Sequence, residues 1–287
     1  MDVFDDRRCE LGEGAFWHPL RGQFFWFDIT GFRLLTREDG AAREWGLGEH
    51  VSAAGWIDRD RLLIASETGL WRFDLLTGAQ ELLTPLSADL AHLRSNDGRA
   101  DPWGGFWIGT MGKRAEERAG AIWRYWRGEL RELFPGLSIP NAICFDAARE
   151  IAFFADTRPG TVWQQRLDPA TGWPVGSPDV FLEMRQTEGN SPDGAVIDAE
   201  GRFWTAQWGA GRVACYDGRD GRFLGAESFG AVRTSCPAFG GEGLSTLFVT
   251  TAQQGMDALA RAAEPLAGMT FARAIAAKGV AEPQVVL

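Results

Sequence analysis

Short apolar segments recur along the sequence, and four of them have an oxygen-bearing side chain 10 or 11 residues before their first residue. These four side chains are Glu13, Asn96, Asn141 and Asp193. In two further repeats the same offsets fall on Val51 or Ser52 and on Cys236 or Pro237. Hard divalent cations such as calcium, magnesium and manganese bind carboxylate and amide oxygens. If the fold brings the four together, they could bind such a cation.

Each of these residues has an ordinary explanation when taken alone, because Asp193-Gly194 and Asn96-Asp97-Gly98 are typical turn sequences. Their shared register favours a site instead. Two carboxylates and two amides around a narrow channel would repel one another and lack solvation unless a cation lies between them. We therefore predict a divalent metal bound by Glu13, Asp193 and the amide oxygen of Asn141. Water in the open positions would suit catalysis.

An internal repeat indicates which elements position these side chains. Six apolar segments, whose starts lie 38 to 51 residues apart, begin at Phe24, Leu62, Phe106, Ala152, Phe203 and Leu247. Each belongs to a unit of about 45 residues with several strand patterns, which is the spacing of propeller blades. The sequence predicts an all-β, six-bladed β-propeller that occupies residues 1–287 as a single domain. The first strand of each blade lines the channel of such a ring, so the four side chains should meet there.

A β-sandwich or a row of separate β domains is the alternative architecture, but both predict a weaker period and a linker, and we find no linker in the sequence. A helical-looking stretch at residues 256–276 weakens the repeat near its C-terminal end. A propeller ring usually needs a strand from the other terminus to close. We therefore expect residues 3–9 to pair with the last blade and to protect its edge.

The composition argues against strongly charged macromolecular partners. Lys and Arg total 29 against 39 Asp and Glu, a net charge of −10. No basic tract is long enough to indicate binding to nucleic acid or to an anionic membrane surface. The sequence has no signal-peptide pattern, no run near about 18 apolar residues, and four cysteines without metal or redox spacing. We expect a cytoplasmic protein, monomeric or weakly oligomeric, with a small-molecule partner.

Several stretches together resemble one known family. They are LGEGAFWHP from Leu11, RSNDGRADPWGGFWIGTMG from Arg94, PNAICFD from Pro140, SPDGAVIDAEGRFW from Ser191 and TSCPAFGG from Thr234. Because these stretches occur in this order, the chain is similar to the gluconolactonase and regucalcin (senescence marker protein) family of sugar lactonases. The resemblance implies a six-bladed propeller with one divalent metal in its channel. Relatives hold calcium, zinc, magnesium, manganese or iron, so the resemblance does not choose the metal.

The resemblance also implies roles for particular residues. The family's metal ligands correspond to Glu13, Asn141 and Asp193, the same three that the repeat predicts. The substrate contacts of the family correspond to Arg94 and Asn96. Asp193 would be both a metal ligand and the catalytic general base that takes a proton from water.

One departure from the family bears on the substrate. Some relatives have acidic residues shortly after the G-T-M motif that reach sugar hydroxyls, whereas this chain reads GTMGKRAEE, with Lys113 and Arg114. This difference weakens the prediction of animal-type substrate contacts and favours a bacterial sugar lactonase with a preference of its own.

The predicted activity is metal-dependent hydrolysis of an aldonolactone, such as a glucono-, xylono-, arabinono- or galactonolactone, to the free acid. Serine hydrolase chemistry is disfavoured, since the sequence contains no G-x-S-x-G elbow. The alternative is a non-enzymatic propeller, either a calcium-binding protein or an interaction scaffold, because a fold does not fix a function.

Overall fold

The computed structural model describes residues 3–287, apart from the side chain of residue 187. Within that range the chain forms six antiparallel four-stranded sheets, each of which is one blade of a ring. The first strands of the blades contact one another in cyclic order around the ring, and the sixth contacts the first. The predicted all-β, six-bladed β-propeller is therefore confirmed.

The first three blades take four consecutive strands each. Blade 1 contains β2 Gly12–His18, β3 Gln23–Asp28, β4 Arg33–Glu38 and β5 Ala41–Gly46. Blade 2 contains β6 Val51–Trp56, β7 Arg61–Ser66, β8 Gly69–Asp74 and β9 Gln80–Pro85. Blade 3 contains β10 Leu93–Ala100, β11 Phe106–Gly112, β12 Gly120–Trp126 and β13 Glu129–Leu137.

Blades 4 and 5 also take four consecutive strands each, whereas blade 6 takes three consecutive strands and one from the N-terminus. Blade 4 contains β14 Pro140–Asp146, β15 Ile151–Asp156, β16 Thr161–Arg166 and β17 Asp179–Glu183. Blade 5 contains β18 Ser191–Ile197, β19 Phe203–Trp208, β20 Arg212–Tyr216 and β21 Phe223–Ser228. Blade 6 contains β22 Thr234–Gly240, β23 Thr246–Thr251, β24 Thr270–Ala274 and, from the N-terminus, β1 Val3–Asp5.

Helical structure within the described residues is short. It consists of α1 Met184–Glu188, α2 Ala258–Ala263 and a 3₁₀ turn at Glu242–Leu244. The helical-looking stretch at residues 256–276 is helical only in α2, and its second half forms β24 because blade 6 needs a third strand. Within residues 3–287, no helix is long and apolar enough to span a membrane.

The repeated apolar segments are the second strands of the blades. All six residues of β3, QFFWFD, are buried, because this strand is covered by neighbouring blades on both faces. Such two-sided burial requires a continuous apolar run and not an alternating one. The fourth strand β5, AAREWG, alternates between exposed and half-buried residues, as expected at the outer edge of a blade. Each fully buried large apolar side chain stabilises the fold by about 1.5–3 kcal/mol.

The N-terminal strand closes the ring, as the sequence predicts. β1 pairs antiparallel with β24, with Val3 opposite Phe271. Phe4 places its ring edge-on against Phe24 of blade 1 and Phe248 of blade 6, at centroid distances of 5.7 and 5.0 Å. The first and last blades are thus joined both by strand pairing and by an aromatic cluster, which protects the edge of blade 6.

The C-terminal tail crosses the end of the channel at which the first strands of the blades finish. Its backbone donates hydrogen bonds from Val285 to Trp56 O and from Val286 to Gly104 O, each 2.9 Å long. Glu282 in the same tail forms an ion pair with the buried Arg99 of β10. The four polar side chains lie in the first halves of their strands, near the other end of the channel. The tail therefore covers the mouth that is opposite to these side chains.

Candidate functional site

A β-bulge in each of four channel-lining strands lies at or next to a predicted site residue. The register with the second strand shifts just after Glu13 in β2, across Asn96 in β10, after Asn141 in β14 and after Pro192 in β18. A bulge leaves a residue unpaired and re-aims the neighbouring side chain. Gly14 and Ala142, which directly follow two of the site residues, adopt left-handed backbone with φ of 58° and 56°. The bulges thus set the direction of the site's side chains.

The bulge after Glu13 yields a prediction about stability. A Cβ atom at Gly14 would overlap the Ser52 carbonyl oxygen and would lie 2.8 Å from the Phe27 ring. We expect Gly14→Ala to lower the free energy of unfolding by more than about 2 kcal/mol, measured by urea denaturation. Gly22→Ala is the matched control, because Gly22 has φ of 59° but its nearest neighbour would be 3.9 Å from the new Cβ. Equal losses in the two variants would contradict this packing argument.

Two carboxylates at the ends of second strands hold the backbone that leads into the channel. Asp28 at the end of β3 accepts a hydrogen bond of 3.0 Å from Leu11 N. Asp156 at the end of β15 accepts one of 2.9 Å from Ile139 N. In each blade the donor lies two residues before the site residue, so these acids fix where the first strand begins.

The site itself centres on a buried pair of acids. Glu13 and Asp193 are only 5% and 4% exposed, and their side chains share a hydrogen bond. Burial, reinforced by the charge of Asp97, raises the pKa of Glu13 to about 8. Burial and the charge of Glu13 raise the pKa of Asp193 well above its usual range. The pair therefore holds a proton at neutral pH unless a cation takes its place.

Two amides and an arginine lie beside this pair. Arg94 Nη1 donates to Asn96 Oδ1 at 2.7 Å, and Asn96 Nδ2 donates to Asn141 Oδ1 at 3.1 Å. The Arg94 guanidinium is buried, which lowers its pKa to about 10, and the charges of Glu13 and Asp193 oppose that shift. All five predicted site residues are thus brought together at one place in the channel, although they come from four different blades.

Asp97 is a channel residue that the sequence reasoning treated only as part of a turn. It is buried in β10, and its Oδ2 accepts a hydrogen bond of 2.7 Å from Ile143 N, which lies within the bulge of β14. Burial raises its pKa, although that hydrogen bond and the charge of Arg99 oppose the shift. Its place directly after Asn96 in the motif was the available signal, because the bulge in β10 contains both residues.

Lys113 and Arg114, at the departure from the family motif, lie outside the buried cluster. Lys113 Nζ is 2.6 Å from Glu67 Oε2, and His50 Nδ1 is 2.7 Å from the same oxygen. Burial would raise the pKa of Glu67, but its hydrogen bonds with Lys113 and His50 outweigh that effect, and the pKa is lowered. Arg114 is exposed. The basic side chain of Lys113 is therefore held by an acid of blade 2, a contact between blades that no sequence pattern predicts.

The residues at the channel site fit a divalent cation by their chemistry. Within residues 3–287, the structure shows no three histidine, cysteine or carboxylate side chains grouped to hold a metal. The candidate set instead has two acids, Glu13 and Asp193, with the amide oxygen of Asn141 as a third oxygen. Burial raises the pKa of both acids, and the charge of Arg94 offsets this shift only in part for Glu13. A cation would supply the remaining compensation.

A cavity of about 660 Å³ lies at the opposite mouth, beside the C-terminal tail. Two of its acids have arginine partners: Arg149 Nε lies 2.6 Å from Asp146 Oδ2, and Arg202 Nε lies 2.6 Å from Asp198 Oδ2. These arginine partners distinguish the two acids of the cavity from the close acid pair of the channel site.

Comparison with known proteins gives a consistent result. The family model described as the SMP-30/Gluconolactonase/LRE-like region matches residues 11–253. A predicted sugar lactone lactonase of Rhizobium meliloti is 42% identical over 98% of this chain and 95% of its own length. The 6-deoxy-6-sulfogluconolactonase of Pseudomonas putida is 31% identical over 95% of this chain and 94% of its own.

A solved structure extends this similarity to the whole fold. The calcium-binding protein regucalcin from Agrobacterium tumefaciens is 38% identical, with a TM-score of 0.97 over 100% of this chain and 97% of its own. The matched region contains all five predicted site residues and all the first strands of the blades. The chain therefore belongs to the SMP-30/gluconolactonase/LRE-like family.

Proposed function

We propose that this protein is a metal-dependent lactonase that hydrolyses a sugar-acid lactone, an aldonolactone such as a glucono-, xylono-, arabinono- or galactonolactone, to the free acid. The observation that carries the proposal is the buried, hydrogen-bonded acid pair Glu13 and Asp193 beside Arg94. Relatives named as lactonases support it, because their similarity extends over nearly the whole chain.

The metal ligands in this proposal are Glu13, Asp193 and the amide oxygen of Asn141. A bound divalent ion would polarise the lactone carbonyl and lower the pKa of a water molecule. The regucalcin relative is called calcium-binding, and magnesium, manganese, zinc and iron are the other candidates. The oxygen-only ligand set favours a hard cation such as calcium, magnesium or manganese.

The chain's own residues would position the substrate and move the proton. Asp193 is the proposed general base, and it takes the proton of the attacking water as the ester carbonyl becomes tetrahedral. When the acyl C–O bond of the ring then breaks, Asp193 would return this proton to the departing ring oxygen. Arg94 can donate to the oxygen on which negative charge develops, since its guanidinium has five N–H groups and only part of them are used within the protein. Asn96 would orient the sugar hydroxyls beside Arg94.

Proton release on metal binding is a direct consequence of the acid pair. The pKa of Glu13 is about 8 in the metal-free site and that of Asp193 is also raised, so the pair carries a proton at pH 7. We expect an added divalent ion to displace about one proton at pH 7, and the apparent affinity to increase as the pH rises towards 8. Calorimetry in buffers of different ionisation enthalpy measures the number of protons. Binding without proton release would contradict the placement of the ion between these acids.

The proposal also includes the partner and the location. We propose a small sugar lactone as the partner and the cytoplasm as the location, with neither nucleic acid nor a membrane involved. Lys113 at the rim, paired with Glu67, is a candidate contact for the part of the sugar that projects from the channel.

The proposal is tested with a panel of the four aldonolactones, by following acid release with metal-loaded protein and with chelator-treated protein. Spontaneous ring opening is subtracted from both. We expect hydrolysis of at least one lactone, and loss of that activity with chelator. If every lactone opens at its background rate while the protein binds calcium, the non-enzymatic calcium-binding alternative replaces this proposal.

A further inference from the structure

A continuous series of hydrogen bonds runs along the channel from blade 3 to blade 5. It begins with the bonds from Arg94 to Asn96 and from Asn96 to Asn141. Asn141 Nδ2 then donates to Thr157 Oγ1 at 2.7 Å. The Thr157 hydroxyl in turn donates to Pro192 O at 2.8 Å. Pro192 directly precedes Asp193, so the series connects two of the proposed metal ligands.

The direction of every hydrogen bond in this series is determined by its two ends. Arg94 can only donate, so Asn96 Oδ1 is the acceptor and Asn96 Nδ2 is a donor. The Pro192 carbonyl can only accept, so the single hydroxyl hydrogen of Thr157 is used there and its oxygen is left to accept. Asn141 must therefore turn its NH₂ group towards Thr157 and its amide oxygen towards Asn96 and the channel.

We propose that Thr157 is a positioning residue for the metal site. Its hydroxyl fixes the orientation of the Asn141 amide, so that oxygen and not nitrogen faces the ion, and it anchors the backbone that carries Asp193. This inference rests on the proposed function, because it assigns Asn141 and Asp193 as ligands. Thr157 lies in the loop after β15, held by a 3.0 Å bond from its own N–H to Ile139 O, and has no role of its own in the chemistry.

Replacing Thr157 with valine keeps the shape of the side chain and removes both hydrogen bonds. The Asn141 NH₂ group then loses its acceptor, and the amide is free to rotate away from the orientation that binds a cation. Loss of such a supporting hydrogen bond usually reduces metal affinity about 10- to 100-fold. Thr157→Ser keeps the hydroxyl and should bind metal within about threefold of the wild type, on the same principle.

The experiment measures calcium and manganese binding to metal-free protein by isothermal titration calorimetry, without any activity assay. The variants are Thr157→Val, Thr157→Ser and Thr157→Ala. Thr36→Val is the matched control: Thr36 accepts from Gln23 Nε2 at 2.9 Å and donates to Phe24 O at 2.6 Å, the same amide–hydroxyl–carbonyl bridge, but in the outer part of blade 1. Circular dichroism melts establish that each variant is folded.

We expect weakened binding for Thr157→Val and Thr157→Ala, and nearly unchanged binding for Thr157→Ser and Thr36→Val. If the valine variant does not fold, the alanine variant decides, since a smaller side chain introduces no clash. Wild-type affinity in a folded Thr157→Val or Thr157→Ala would overturn the inference and leave the proposed function intact. Absence of binding to the wild-type protein would overturn both, and equal weakening in Thr36→Val would show a general loss of stability in place of a positioning role.

Discussion

Asp193→Asn should reduce the kcat for lactone hydrolysis about 10²- to 10⁴-fold, the range that a general base contributes. The substitution keeps the size of the side chain, so the propeller should remain folded. It removes one negative charge from the buried pair with Glu13, and the neutral amide cannot accept the proton of water. Steady-state kinetics with metal-loaded protein, together with a thermal melt, measure both effects.

The same variant should stabilise the metal-free protein. The pKa values of Glu13 and Asp193 are raised in the folded state, so the folded protein binds more protons than the unfolded one and loses stability as the pH rises. An amide at position 193 removes the contribution of Asp193 to this pH dependence, whereas Glu13 keeps its own contribution, because burial and the charge of Asp97 raise its pKa. Urea denaturation of the metal-free protein at pH 6 and pH 8 measures it.

Asp198→Asn is the matched control for this prediction. Asp198 follows the same strand and is equally buried, but it is paired with Arg202 at the opposite end of the channel. We expect this variant to lose stability and to keep its activity when folded. If Asp193→Asn retains activity within a few-fold of the wild type, Asp193 is not the base and the mechanism is wrong.

Arg94→Met should have the second largest effect, a fall in kcat/KM of about 10²- to 10³-fold, as is usual when a donor to a developing oxyanion is removed. Methionine is unbranched and retains most of the apolar stem of arginine, but it supplies neither charge nor N–H groups. Loss of the guanidinium also leaves Asn96 Oδ1 without its hydrogen-bond donor. Progress curves over a range of substrate concentrations separate the effects on kcat and KM.

Arg94→Lys and Arg149→Met are the controls for the arginine. Lysine retains the charge but cannot donate at two fixed positions, so we expect an intermediate loss. Arg149 pairs with Asp146 beside the cavity at the other mouth, and its substitution should leave kcat/KM unchanged. Equal kcat/KM for Arg94→Met and the wild type would remove Arg94 from the mechanism.

The ring and the register of its polar residues were predictable from the sequence, because a propeller repeats its unit. The offset before each apolar segment placed Glu13 and Asp193 on equivalent first strands, although 180 positions separate them. Their convergence follows from closure of the ring, and β1 confirms the predicted closure. A periodic fold thus converts spacing in sequence into proximity in space.

The supporting contacts could not be predicted in this way, because they cross between blades without a repeated pattern. The hydrogen bond from Ile143 N to Asp97 joins blade 3 to blade 4, and Thr157 joins blade 4 to blade 5. A prediction from local sequence is also wrong where pairing with a neighbouring strand determines the secondary structure. The stretch at residues 256–276 has helical composition, yet its second half forms the strand that pairs with β23.

The most direct test of the account is a titration of metal-free protein with a divalent ion while the initial rate of lactone hydrolysis is measured. We expect no enzymatic rate without metal, a rise in proportion to added ion, and a plateau at one ion per chain. Asp193→Asn should stay at the background rate throughout the same titration. A full hydrolytic rate in the metal-free wild-type protein would contradict the account.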